Sequence, residues 1–478
     1  MDKTLKEQID IWTEADEHDK IIEVLTKLPS KDRDFDSIGL LARAYNNIGE
    51  YEKALELLDN TREEGAEDTN WNFRKGYSLY FLGRYRESLN CFRKADELTP
   101  EDEDTLEFIR YCNARLPFRK RVEDFWRWFT ANEPELSRMV EDRSECDSNH
   151  IVEFVSEGTN LLSEEVHFNL GGDYEFTFSV EGNTDLFYLY PYLVSRIPEQ
   201  FKDKWHFFPF NQGTDASFSF GMYGVRVDMD KVRIAVTYQE ESNSFDISFY
   251  EEQLSSLSEA QSYNAYYIMM EIMLGEGLSY QYVGDVNRAD APLDGMITLP
   301  ELRGYITDTL KAHDKKVFDN PQQVYSGYRF EPQENEELRY DVVAGSTCFE
   351  PLVAQYYQNS TKLFDHLNLF GAQAAFIAFP FENEQEGDSK KVLDFRYALE
   401  DRLEVELLKP EGLGLLLGGA IGQGTCYIDL LLFDEPAFIE KIISILKDYP
   451  QYRFYLSDFR QHCSLCRLFR SADDNQEN

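Results

Sequence analysis

Positive charge is scarce in this chain: 48 lysines and arginines stand against 89 aspartates and glutamates, a formal net charge of −41. A field of that sign repels phosphate backbones and anionic headgroups, so neither nucleic acid nor a membrane surface is expected as a ligand. Cysteine is sparse too. Seven residues (Cys91, Cys112, Cys146, Cys348, Cys426, Cys463, Cys466) are spread over 478 positions; the odd count excludes a fully paired framework within one chain and suits reduced thiols in a cytoplasmic protein. Long apolar runs are missing. The longest uncharged stretch, 412–428, is interrupted by five further glycines, by Gln423 and by Thr425, and falls short of the ~20 apolar residues that span a bilayer. The opening MDKTLKEQIDIW is charged every few residues and lacks the apolar centre of a secretory signal, so export by that route is not expected.

What is present belongs to a packed protein. Hydrophobic residues make up 42% and aromatics 14%, with 35 Phe and 29 Tyr, far from the composition of a disordered chain. The length leaves room for about two to four domains. Acids are scattered evenly, which reads first as a means of solubility and second as a surface for a basic protein partner.

The clearest organisation is an internal repeat. Shifting the sequence by 34 superposes Gly49 on Gly83, Ala42 on Gly76, Tyr51 on Tyr85, Ala54 on Ser88, Leu55 on Leu89, Leu58 on Phe92 and Ala66 on Pro100. Small residues at 42, 54, 76 and 88 let two antiparallel helices approach closely, the glycines turn the chain between them, and Pro100 ends the second helix of its unit. This period with these residue types resembles the tetratricopeptide repeat. A weaker copy, offset by one residue, runs through Trp12, Ile21, Leu25 and Leu28, and Leu106, Ile109 and Cys112 predict a capping helix over 102–116.

The resemblance implies a concave groove, lined by the first helix of each unit, that takes a peptide or helix of a partner protein. By position that groove comprises Arg43, Asn46 and Asn47 in one unit and Asn70, Phe73, Tyr77 and Tyr80 in the next. Asparagines can hydrogen-bond a peptide backbone and aromatics supply contact area at low entropic cost. No basic pair suited to a terminal carboxylate is evident. The competing reading is that the chain's own C-terminal region fills the groove.

Behind the array, three regions are expected in all: 1–117 as helical repeats with their cap, 118–330 as an α+β domain and 331–478 as a second α+β domain. Phe125, Trp126, Trp128 and Phe129 open a helix and are expected to form a seam against the array. Alternating apolar residues predict a hairpin across 166–180 with its turn at Gly171–Gly172, and strands over 232–238, 245–249 and 280–283. Helices are predicted around Leu186–Leu193, over 258–274 and over 300–310. From residue 374 the order reads strand, helix 392–408, strands 413–421 and 425–433, helix 436–447 and strand 452–457. This β-α-β-β-α-β order fits a ferredoxin-like sheet with both helices on one face. Residues 118–478 are similar in general character to uncharacterised bacterial cytoplasmic families built from aromatic-rich hairpins and ferredoxin-like units, some of which serve as accessory or immunity proteins.

Little in the chain carries catalytic chemistry. The glycines between 412 and 424 are followed by a strand instead of a helix N-terminus and lack a Gly-Lys-Ser/Thr ending, so they read as a bulged hairpin and not as a phosphate loop. Cys463 and Cys466 make one Cys-x-x-Cys pair without two further zinc ligands at comparable spacing. The histidines at 18, 150, 167, 206, 313, 366 and 462 are isolated in sequence, and His167 is expected on the solvated face of its hairpin. No cofactor or metal is implied. The expected function is therefore non-catalytic protein binding or scaffolding; an enzyme with a cleft in the α+β region and an acidic toxin-immunity protein are the alternatives.

Overall fold

Three aspartates spaced 34 residues apart start helices of the N-terminal region. Asp34 accepts from the Ser37 amide at 2.9 Å, Asp68 from Trp71 at 2.7 Å and Asp102 from Thr105 at 2.9 Å, each satisfying an amide that a helix start leaves without an intrahelical partner. The structure, a computed structural model, describes residues 3–29, 33–141, 148–333, 335, 337–382 and 388–468. Contacts divide the chain into two units, Met1–Pro117 and Phe118–Asn478.

The first unit is all helical: α1 (Lys3–Glu14), α2 (His18–Lys27), α3 (Phe35–Asn47), α4 (Tyr51–Asp59), the single turn α5 (Arg62–Gly65), α6 (Thr69–Phe81), α7 (Tyr85–Leu98) and α8 (Glu103–Arg115). The repeat positions act as their chemistry requires. Ala42 and Ala54 are fully buried, and a Cβ on Gly76 would stand 3.0 Å from the Phe92 ring. Ser88 Oγ donates to the Gly76 carbonyl at 2.7 Å, tying α7 to α6. Gly49 and Gly83 turn the chain at φ +81° and +74°, a conformation that costs other residues ~1–2 kcal/mol. The weaker first copy is also a helix pair: Ile9, Ile21 and Leu25 pack with Leu41 and Ala44 of α3.

The second unit opens with α9 (Phe118–Glu141) and α10 (Ser148–Thr159), then β1 (His167–Leu170), β2 (Glu175–Ser179), α11 (Tyr190–Ser195) and β3 (His206–Phe208). The aromatic residues of α9, expected as a seam against the array, instead have their ring partners inside this unit. Phe125 meets Phe178 at 5.9 Å, Trp126 meets Phe207 at 4.8 Å, Phe129 meets Trp205 at 5.2 Å and Trp128 meets Phe154 at 5.6 Å. The hairpin supplies the phenylalanines that this helix stripe covers. Where one helix was expected around Leu186–Leu193, a 3-10 turn (Thr184–Tyr188) precedes α11, because Pro191 has no amide to continue the earlier turn and sits at the start of a new helix.

Next come β4 (Ser219–Met222), β5 (Val225–Asp228), β6 (Arg233–Gln239), β7 (Ser244–Tyr250), α12 (Glu252–Ser255), α13 (Glu259–Leu274), α14 (Glu276–Tyr282), β8 (Val283–Arg288), β9 (Ile297–Thr298) and α15 (Leu302–Ala312). A four-stranded sheet in the order β8-β7-β6-β9 packs against α13 and α15. The strand expected over 280–283 is the end of α14, and β8 begins only at Val283. Tyr280 and Tyr282 alternate like strand residues, but Leu278 and Tyr282, both buried, also share a helix face at i, i+4.

The chain ends in β10 (Ser326–Arg329), β11 (Val342–Thr347), α16 (Glu350–Tyr357), α17 (Lys362–Leu369), β12 (Gln373–Pro380), α18 (Asp388–Arg402), α19 (Lys409–Glu411), β13 (Gly414–Gly422), β14 (Thr425–Leu432), α20 (Glu435–Leu446), β15 (Tyr455–Asp458) and β16 (Cys466–Arg467). These strands form a seven-stranded sheet in the order β10-β11-β13-β14-β12-β15-β16, every neighbouring pair antiparallel. Alternate residues of β12 face opposite cores. Ala375, Ile377 and Phe379 join α18 and α20, whereas Ala374, Phe376 and Ala378 join a cluster that also holds Phe125, Phe178, Phe349 and Phe364. Residues on both sides of position 330 therefore share one core.

Candidate functional site

The first helices of successive pairs, α3, α6 and α8, line an open groove of ≈ 810 Å³ in the first unit. Six of the seven residues expected there do line it: Arg43, Asn46 and Asn47 from α3, and Asn70, Phe73 and Tyr77 from α6. Tyr80 does not. Its ring lies 5.4 Å from Tyr85 and 5.4 Å from Phe108, where it belongs to the aromatic packing between α6, α7 and α8.

Lining the groove is not the same as being free to bind. Asn46 is 4% exposed; its amide donates to the Arg74 carbonyl at 2.9 Å and its oxygen accepts from Ser78 Oγ at 2.7 Å. It is a rivet between α3 and α6, with its polar atoms already used. Asn47 Nδ2 lies 3.1 Å from His18 Nε2. Asn70 is exposed at the start of α6. Phe73 and Tyr77 form the groove's apolar floor with Phe108 of α8, at ring distances of 5.9 and 5.2 Å.

The residue missed from sequence is Arg74. With Asn70, Phe73 and Tyr77 it completes an i, i+3, i+4, i+7 stripe on α6, a spacing that could have found it. Its guanidinium lies over the α3 backbone at Gly39, where a Cβ would come within 2.5 Å of Nη1. Among the described residues neither Arg74 nor Arg43 has a side-chain hydrogen bond or an ion pair. Burial, and then the like charge of Arg43, hold the Arg74 pKa below its usual value; Asp68 and Asp36 oppose the shift. A basic pair therefore exists in the groove, contrary to the sequence expectation, because Arg43 and Arg74 come from different units, 31 residues apart. Around the pair stand Glu67, Asp68, Asp102 and Asp104, of which Asp68 and Asp102 are engaged as helix caps.

Elsewhere the sequence candidates are scattered over the second unit. The glycines of 412–424 lie largely in β13, where the register shifts between Leu416 and Gly418; a Cβ on Gly418, at φ +138°, would stand 2.0 Å from the Ser346 carbonyl oxygen. Cys463 is half-buried and Cys466 exposed. His167 is exposed on β1. His366, isolated in sequence, sits between two carboxylates, with Nδ1 2.5 Å from Asp185 and Nε2 3.0 Å from Glu165. Among the described residues no group of three or more His, Cys, Asp or Glu could hold a metal ion, and no helix is long and apolar enough to cross a membrane.

The comparison with curated proteins returned no match. Residues 72–102, which span most of α6, all of α7 and the turn to α8, match the tetratricopeptide repeat family, which suggests interaction with another protein.

Proposed function

We propose that the first unit binds a segment of a partner protein along its concave groove, with a carboxylate of that segment seated against Arg43 and Arg74. The observation that carries this reading is the pair of guanidinium groups without hydrogen-bond or ion-pair partners among the described residues, in a chain where acids outnumber bases 89 to 48. Two cations facing one cleft repel each other, and an incoming carboxylate relieves that repulsion while accepting charge-assisted hydrogen bonds worth about 1.5–3 kcal/mol. The Phe73, Tyr77 and Phe108 floor offers contact area beside it. The wider acidic surface suits basic residues elsewhere on the same partner and would steer its approach.

Selection of random peptides on the full chain tests this. Acidic or free-carboxylate sequences should be enriched, and Arg74→Met should weaken the selected peptide by at least about tenfold, with affinity falling as salt rises. Enrichment of peptides that carry neither acidic side chains nor a free C-terminal carboxylate, or equal binding by the Arg43→Met/Arg74→Met double variant, overturns the proposal.

For the second unit we infer a ferredoxin-like core over β12 to β15. The order β13-β14-β12-β15 and the packing of α18 and α20 on one sheet face support it. The proposed domains 118–330 and 331–478 would then be two lobes around the shared aromatic core. Free thiols at all six described cysteines are in keeping with a reducing, cytoplasmic setting.

A further inference from the structure

Independently of the groove, the second unit has a cavity of ≈ 260 Å³ whose lining includes Phe187, Tyr267, Met270, Glu271, Glu276 and Tyr280. Among the described residues no lysine or arginine lines it. The two carboxylates differ in what they do. Glu276 is buried and spent: one oxygen accepts from Ser179 Oγ at 2.7 Å and from the Val180 and Glu181 amides at 3.0 and 3.3 Å, and the other from the Asn211 amide at 2.9 Å. Glu271 is half-buried, and its carboxylate has no hydrogen bond or ion pair among the described residues.

The aromatic walls are equally unfinished. Tyr267 and Tyr280 leave 40% and 37% of their surfaces exposed, a large fraction for rings that line a cavity. Tyr280 is backed by Phe187 at 5.0 Å between ring centroids, so its orientation is held without a ligand. Aromatic faces and an unneutralised carboxylate attract the same species, a cation with an apolar shell. An anion would meet two glutamates and no base. A neutral ligand would leave the Glu271 charge uncompensated at a partly desolvated site.

We infer that this cavity binds an alkylammonium group, with the cation against the Glu271 carboxylate and its carbon shell on Tyr267 and Tyr280. Burial, followed by the negative charges of Glu276 and Glu181, pushes the Glu271 carboxyl up to about 6, as a carboxylate short of a counter-ion should behave. The small volume admits one ammonium head, carried either by a free amine or by a lysine side chain of another protein.

Calorimetric titration of the full chain decides the matter with four probes: choline, its neutral carbon isostere 3,3-dimethylbutanol, an acetylated lysine amide and the trimethylated form of that amide. At least one cation should bind while the neutral isostere does not. Glu271→Gln and Tyr267→Leu should each weaken the binding cation by about tenfold or more. Preference for choline would assign the site to free amines, and preference for a lysine derivative to a protein side chain; either result supports the inference. Glu271→Gln removes an uncompensated charge, so it should melt no lower than the wild type, and Tyr267→Leu provides a second variant at an exposed ring. Binding of the isostere as tightly as choline, absence of binding by every cation at about 10 mM, or undiminished binding in both variants overturns it.

Discussion

Arg339 and Asp429 show what the second unit does with charge when it must bury some. Both side chains are 0% exposed, joined by contacts of 2.5 and 3.1 Å, and the guanidinium lies 4.4 to 5.2 Å from the rings of Phe459, Tyr427 and Phe376. Removing one partner leaves the other charge buried alone, so Asp429→Asn should cost about 3–5 kcal/mol in urea unfolding. The Arg339→Met/Asp429→Leu double variant should recover much of that loss. His366 gives a pH-dependent counterpart. The hydrogen bond that its imidazole donates to Asp185 is the largest influence on it and raises its pKa; burial opposes the rise, and Glu165 adds to it. A raised folded pKa means a contribution fully present below the unfolded value of ~6.5 and lost as pH rises through the folded pKa. Melting temperatures should therefore fall across that window in the wild type, and His366→Gln should flatten the profile. Burial raises Glu271 to about 6 and Glu400 to about 7; favouring the protonated form in the fold, they too lose stability as pH rises. The His366 part is then the difference between wild type and variant.

Within elements, the 34-residue period reaches further than the packing residues from which it can be read. It also spaces the caps Asp34, Asp68 and Asp102, which turn the repeat into a recurring helix start. Asp68→Ala should lower stability by about 1 kcal/mol in thermal or urea melts, the usual cost of losing an N-cap. Gly83→Ala should cost ~1–2 kcal/mol from backbone strain alone, since nothing lies within 4 Å of the added Cβ. Gly39 is the informative contrast, being in mid-helix and roofed by Arg74. Alanine there gains up to ~1 kcal/mol of helix propensity but displaces the guanidinium. Gly39→Ala should therefore leave the melt unchanged or raised while weakening the groove's hold on an acidic peptide. The groove helices were legible because small residues and turn glycines recur at fixed spacing. Arg74 escaped because its counterpart one period earlier is Leu40, so superposing repeats does not mark it. Asn46 lines the groove, but only coordinates reveal that Ser78 and the Arg74 carbonyl already occupy its polar atoms.

Over the whole molecule, the buried clusters of the first unit are built, among the described residues, from positions before 118. A chain of residues 1–117 should thus fold by itself, showing helical circular dichroism and a cooperative melt; a non-cooperative melt would mean that its repeats need further support. The second unit offers no such division at 330, because α9 and the β1–β2 hairpin share a core with α16, α17 and the large sheet.

Local periodicity alone determined the helical array, its turns, the β-α-β-β-α-β order from 374 and most strand positions, because these depend on which neighbouring side chains share a face. Tertiary structure alone decided that α9 faces the hairpin, that residues 280–282 are helical, that His366 meets Asp185 and Glu165 from 181 and 201 residues away, and that Arg43 and Arg74 confront one cleft. Those facts depend on which distant surfaces exclude water together, and residue spacing along a chain carries no term for that.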